Sequence, residues 1–148
     1  MATNMTRKFS RTEVWPVGSN VAPGVGVFNS TTANNAPQPG VTLTGSGNYT
    51  KSQAIGPYNV SGIPAGGVGL NANDATVALD GAFRFNVTGA TTSTVKNAIV
   101  YATTSGTAPN LVVTGYTLTA GANTKFGKID RYIGETSGTE CSVTIGVF

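Results

Sequence analysis

The strictest alternation in the chain runs from Thr76 to Val87, "TVALDGAFRFNV". Its odd positions are Val77, Leu79, Gly81, Phe83, Phe85 and Val87; its even positions are Thr76, Ala78, Asp80, Ala82, Arg84 and Asn86. A period of two held this long predicts a strand with one dry face and one wet face. Further β-rich runs predict strands at Ala98–Thr103, Leu111–Leu118, Lys125–Ile133 and Cys141–Phe148, separated by turn-forming stretches such as "TSGTAPN" and "GETSGTE". Gly81 falls on the apolar face of the best strand, which points to a bulge or a close backbone approach, as at the corner of a small barrel. Val95, Ala98, Ile99 and Ala102 match helical spacing, but "AIVYATT" is rich in β-branched and aromatic residues. A turn followed by a strand is expected there, with one helical turn near Thr92–Lys96 as the alternative.

The first half reads differently. Gly, Pro and Asn interrupt every candidate strand within a few residues, in "VAPGVGVFN", "NNAPQPG", "GSGNYT" and "GIPAGGVG". Short strands are expected at Val25–Phe28 and Val41–Thr44. Phe9, Trp15, Val17, Phe28, Tyr49, Ile55 and Tyr58 are spread along this half like anchors on an extended segment that lies along something. Residues 1–73 are therefore read as an extended, loop-rich arm with short strands. Residues 74–148 are read as a compact antiparallel β domain, the two forming one structural unit. Val77, Leu79, Phe83, Phe85, Val143 and Ile145 are its expected core.

Composition sharpens this. The chain has 148 residues, enough for one domain with a core of its own. Charged residues make up 10% of it, against about 25% in an average soluble domain, while the apolar fraction is 39%. Few helix formers and much Thr and Val predict an all-β fold. The net charge is +3, with Arg7, Lys8 and Arg11 clustered near the start and Lys51 the only charge between Val14 and Asn73. A nucleic-acid binder should carry a broad basic patch with interleaved aromatics, so direct nucleic-acid binding is not expected. The start has no apolar signal-peptide core and no run long enough to span a membrane, so neither secretion nor a membrane partner is expected. The five N-x-S/T triplets are then chance features of an Asn- and Thr-rich chain.

Catalytic chemistry is sparse. There is no histidine, which removes the commonest general base and zinc ligand. Glu13, Asp74, Asp80, Asp130, Glu135 and Glu140 form no sequence-local dyad or calcium loop, although distant carboxylates can still meet in a fold. The glycines make no phosphate-binding motif. Cys141 cannot form an internal disulfide, and its alternating context suits a buried small hydrophobe. No enzyme activity, cofactor or metal is expected.

The second half, in "NDATVALDGAFRFNV", "KNAIVYATTSG" and "KFGKIDRYIGETSGTECSVTIGVF", resembles a family of small tailed-phage head proteins, first catalogued as a domain of unknown function and described as capsid decoration or cement proteins. The elements that carry the likeness are Gly81-Ala82-Phe83, Val100-Tyr101, Ile133-Gly134 and a last strand. It covers about Asp74 to Phe148. Family members often carry a V-Y-W-D string, whereas Tyr101 here precedes Ala102 and Thr103. The resemblance implies a small antiparallel β-sandwich or barrel, β-tulip-like, with an irregular, extended N-terminal arm and long loops. It also implies a structural protein on the outer surface of a virion, bound to the major capsid protein and forming a homo-oligomer, a trimer or else a dimer. The alternative is a receptor- or glycan-binding β module of a tail fibre.

On this reading Arg7, Lys8, Phe9, Arg11 and Trp15 are the candidate capsid-contacting residues of an arm spanning Met1–Val17. Against it stands the option that Trp15 packs on its own domain. Asp80, Arg84 and Asn86, on the wet face of the best strand, either meet solvent or find partners on a neighbouring copy.

Overall fold

The computed structural model describes residues 4–29, 37–64, 71–106 and 111–146. These form twelve strands and, among the described residues, no helix. The strands are β1 (Met5–Arg7), β2 (Thr12–Pro16), β3 (Gly26–Asn29), β4 (Gln38–Thr42), β5 (Thr50–Ile55), β6 (Tyr58–Pro64), β7 (Asp74–Ala78), β8 (Ala82–Thr88), β9 (Ile99–Ser105), β10 (Leu111–Thr117), β11 (Thr124–Tyr132) and β12 (Glu140–Ile145). Ten belong to one sheet in the order β1-β8-β12-β11-β9-β10-β3-β4-β7-β2, and β5 and β6 form a two-stranded sheet of their own.

The sheet closes on itself. β8, β12, β11, β9 and β10 pair in succession, and β10 returns to β8 through Tyr116 opposite Val87 and Thr117 opposite Thr88. The result is a five-stranded barrel, antiparallel except at this closing seam, which is parallel. β8 and β10 each change neighbours along their length. β8 carries β1 beside its first residues and β10 beside its last, while β10 pairs with β3 at its start. Asn4 bridges the parting, its side-chain amide donating to Gly24 O at 3.2 Å and Arg84 O at 3.1 Å.

Aromatic side chains fill the interior. Phe85 stacks on Tyr116 with ring centres 4.2 Å apart, and Phe126 meets Phe28, Phe85 and Tyr116 edge to face. The Tyr116 hydroxyl accepts the Gly26 N–H at 3.2 Å, tying β3 to the barrel. A Cβ at Gly26 would lie 2.5 Å from that hydroxyl, so a side chain here would displace the ring. All six expected core residues are buried. So is Cys141, whose thiol pKa is raised by burial and by the neighbouring Glu140 charge.

The twelve-residue alternation needs correction. It is two strands, not one: β7 pairs with β2 and β4, and β8 pairs with β1, β12 and β10. The break is at Asp80-Gly81. Gly81 takes φ +96°, a conformation that strains any L side chain, and the chain passes from one part of the sheet to another. A Cβ there would sit 3.0 Å from Arg7 O and 3.1 Å from Phe9 N, so the close backbone approach read from the sequence is made by residues 7–9. On either side of half-buried Gly81 the odd face stays buried. Ala78 and Ala82 are buried as well. β7 is covered on both faces: Ala78 joins the barrel core, and Val77 joins a second cluster with Trp15, Val17, Val21, Val27, Ala75 and Leu79.

The N-terminal segment also differs from expectation. Its described residues are not a free arm, because β1 and β2 are strands at the two ends of the sheet. Trp15 is 3% exposed, and its indole N–H donates to Glu13 Oε2 at 2.7 Å. Apolar burial on the domain's own second cluster outweighs extension into solvent. Met1–Thr3, and Val147–Phe148 of the last expected strand, lie outside the described residues. Before β9 the chain forms turns, Thr94 N donating to Thr91 O and Ala98 N to Val95 O, and no helical segment.

Candidate binding surfaces

The wet positions Asp80, at the break, and Arg84 and Asn86, on β8, find their partners within the chain. Asp80 accepts the backbone N–H of Ser10 at 2.7 Å and of Arg11 at 3.1 Å, together with the Ser10 hydroxyl. Desolvation pushes the Asp80 carboxyl up, but these hydrogen bonds and the Arg11 charge outweigh it and hold the pKa below its ordinary value. Asn86 accepts the Ser137 hydroxyl at 2.5 Å. Arg84 lies 3.8 Å from both Glu135 and Glu140.

The outer positions of β12 follow the same logic. Glu140 and Ser142 alternate with the inward Cys141 and Val143, yet both are buried, because other segments roof them. The loop after β11 covers Glu140, which accepts the N–H groups of Glu135 and Thr136 and, at 2.6 Å, the Thr136 hydroxyl. That hydroxyl first, then the backbone donors and Arg84, lower the Glu140 pKa against its desolvation. Thr6 and Arg7 of β1 cover Ser142. The Thr6 and Ser142 hydroxyls are 2.5 Å apart, Ser142 donates to Asp130 Oδ2 at 3.3 Å, and Arg7 Nη2 reaches Asp130 Oδ1 at 2.5 Å. Among the described residues no three of His, Cys, Asp and Glu gather as a metal-holding group.

Beside this network is a cleft of about 270 Å³, lined by Arg7, Lys96, Asn97, Lys128, Ile129, Asp130 and Thr144. Strand pairing sets its walls, with Lys128 opposite Thr144. Backbone hydrogen bonds from Asn97 N to Ile129 O at 2.8 Å and from Ile129 N to Ala98 O at 2.9 Å fasten the turn that carries Lys96.

The second surface is the β5–β6 hairpin. Its register pairs Ile55 with Tyr58, Ala54 with Asn59 and Gln53 with Val60. The connection is Gly56-Pro57, with Gly56 at φ +58°; a positive-φ glycine followed by proline fits the tight turns that suit a hairpin's twist. Tyr58 and Val60, two apart and so on one face, are 73% and 40% exposed. A Cβ at Gly56 or Gly62 would meet nothing within 4 Å, so the hairpin has open space at both of these positions.

The five residues expected to act as a capsid-contacting arm are thus dispersed. Arg7 pairs with Asp130 and borders the cleft; Lys8 and Arg11 are exposed; Phe9 is half-buried against the barrel core; Trp15 is buried in the second cluster. The structure instead brings Arg7 together with Lys96 and Lys128. Residues far apart in sequence left no local signal of that cleft. Tyr58 did leave one, as one of the seven spaced anchors. Trp15, Val17 and Phe28 are buried in the chain's own cores, while Tyr58 remains open to solvent. No protein-family profile, curated protein or solved structure matches this chain.

Proposed function

We infer that this chain is a structural, non-enzymatic decoration protein that binds the outer surface of a tailed-phage head, attaches to the major capsid protein and stabilises the lattice, working as a homo-oligomer with a trimer favoured. The observation that carries this reading is the hairpin with its exposed Tyr58 and Val60. A two-stranded hairpin is marginal in water on its own, and one that displays an aromatic and a β-branched residue gains by lying on another protein. Only Lys51 among its residues carries a charge, so little charge is desolvated when it docks. The resemblance of Asp74–Phe148 to phage head proteins gives the class of partner. The barrel, closed and stapled along its outer faces, supplies a rigid base for the hairpin.

The test is to add purified protein to undecorated heads and image them. Wild type should appear as regular density on the outer lattice, and Tyr58→Asp should lose most of that occupancy while keeping its thermal unfolding midpoint. Absence of wild-type density on heads, with binding to tail fibres or bacterial-surface glycan in its place, would replace this reading with the receptor-binding alternative. Sedimentation of the free protein measures the oligomer; a monomer at tens of micromolar, with trimeric density on heads, would place assembly on the capsid.

A further inference from the structure

Among the described residues none of the hairpin lines the cleft between β1, the turn before β9 and the β11–β12 pair, and the charges of this cleft are unbalanced. Arg7, Lys96 and Lys128 face a single carboxylate, Asp130, an excess of two positive charges on one small concavity. Asp130 is already engaged, accepting from Arg7 on one oxygen and from Ser142 on the other. Lys96 and Lys128 have no carboxylate within ion-pair distance among the described residues. Asn97 and Thr144 add neutral side chains able to donate hydrogen bonds to an oxyanion.

We propose that this cleft is a socket for one carboxylate presented by a partner protein, an Asp or Glu side chain on the surface that the chain coats. About 270 Å³ accommodates the end of an acidic side chain. Among the described residues the lining contains no aromatic ring on which a base could stack, so an acidic protein fits it better than nucleic acid. The Arg7–Asp130 pair has a part in this. It closes one side of the socket and keeps Asp130 turned to Arg7 and Ser142, leaving the two ammonium groups for the incoming anion. The turn carrying Lys96 is fastened to β11, the strand of Lys128, by two backbone hydrogen bonds, so the two backbone positions are set relative to one another before anything binds. The choice of a protein carboxylate rests on the coat-protein reading, whereas the socket itself can be tested on the free chain.

The experiment is an NMR titration of the full-length protein with a short capped peptide containing adjacent glutamates, its glutamine counterpart, and inorganic phosphate as a separate arm. The glutamate peptide should shift the amide resonances of residues 96–98, 128–130 and 144 saturably, and rising salt should weaken the effect. The glutamine peptide should leave them unmoved. Lys96→Gln with Lys128→Gln should weaken binding about tenfold, as expected when two partly exposed ion pairs are lost, with an unchanged unfolding midpoint. Asp130→Asn should tighten it, a gain that mere structural damage cannot produce. Equal shifts with both peptides, shifts that persist in the double lysine variant, or saturation by phosphate alone would overturn the proposal. Peptide binding by a protein that fails to decorate heads would uphold the socket and remove the capsid reading.

Discussion

The barrel and the β5–β6 hairpin are both antiparallel β structure from one chain, yet the same chemistry has opposite consequences in them. In the barrel each strand has neighbours on both sides, its inner face meets an aromatic core, and even outer polar groups such as Glu140 and Ser142 are roofed and hydrogen-bonded. In the hairpin each strand has one neighbour among the described residues, and Tyr58, larger than most residues in the core, lies open. Burial therefore sets the worth of an aromatic ring here. A ring in the barrel holds the fold together, and a ring on the hairpin is free to hold something else.

The largest effect should come from the barrel. Phe83 is fully buried, and Phe83→Ala should lower unfolding free energy by about 3–5 kcal/mol in denaturant titrations. A loss under about 1 kcal/mol would mean that the barrel core repacks freely, and the contrast with the hairpin would collapse. Trp15 comes next. Trp15→Ala should cost about 3 kcal/mol by the same measurement, because its ring joins β2 and β7 to the second cluster. An unchanged midpoint together with lost head binding would instead return Trp15 to the capsid-contacting role expected from sequence.

These two residues show how far the sequence could be read. Period-two patterning identified Val77, Leu79, Phe83, Phe85, Val143 and Ile145 as core, because alternation is imposed locally by the pleat. It also drew β7 and β8 as a single strand. A conformational break at Gly81 leaves the alternation in register, and the residues that pack against it, 7–9, are more than seventy positions away. Trp15 looked like an outward anchor because Gly, Pro and Asn interrupt every candidate strand in this half of the chain. Its burial depends on Val77 and Val27, which come together only through the sheet order. β5 and β6 gave no strand signal, since Ser, Gln, Asn, Gly and Pro dilute the β-branched residues. The cleft was the least legible feature. Arg7 was singled out for its charge, but Lys96, Lys128 and Asp130 meet it only through β1, β11 and the turn before β9.

A subtler difference between the two regions is pH sensitivity. Hydrogen bonds from the Thr136 hydroxyl and backbone, with the Arg84 charge, hold the Glu140 pKa below its ordinary value of 4.5. A lowered folded-state pKa means that the unfolded chain binds the proton more readily. The stabilisation is therefore complete above the ordinary carboxylate range and is lost as pH falls through the folded value. Thermal midpoints of wild type should drop on acidification below about pH 4.5 more steeply than those of Glu140→Gln, and the amides of Glu135 and Thr136 should lose exchange protection in that window. The hairpin has no carboxylate, so its own exchange should show no such step.

The smallest effect on stability, and the most informative, is expected at Tyr58. An exposed ring contributes little to folding, so Tyr58→Ser and Val60→Thr should each change unfolding free energy by no more than about 0.5 kcal/mol. Amides of β5 and β6 should exchange much faster than those of β11 and β12, because among the described residues each hairpin strand pairs with one partner strand, and Ser52, Ala54 and Tyr58 to Gly62 are exposed. Docking should reverse this. On decorated heads the protection of residues 50–64 should rise towards that of the barrel, while barrel amides change little. Tyr58→Ser should remove the rise without altering the free protein. If these amides are already as protected in the free protein as those of β12, the hairpin packs on something within the assembly of this chain alone. Tyr58 would then belong to the oligomer interface, and its loss should dissociate the oligomer before it affects attachment to heads.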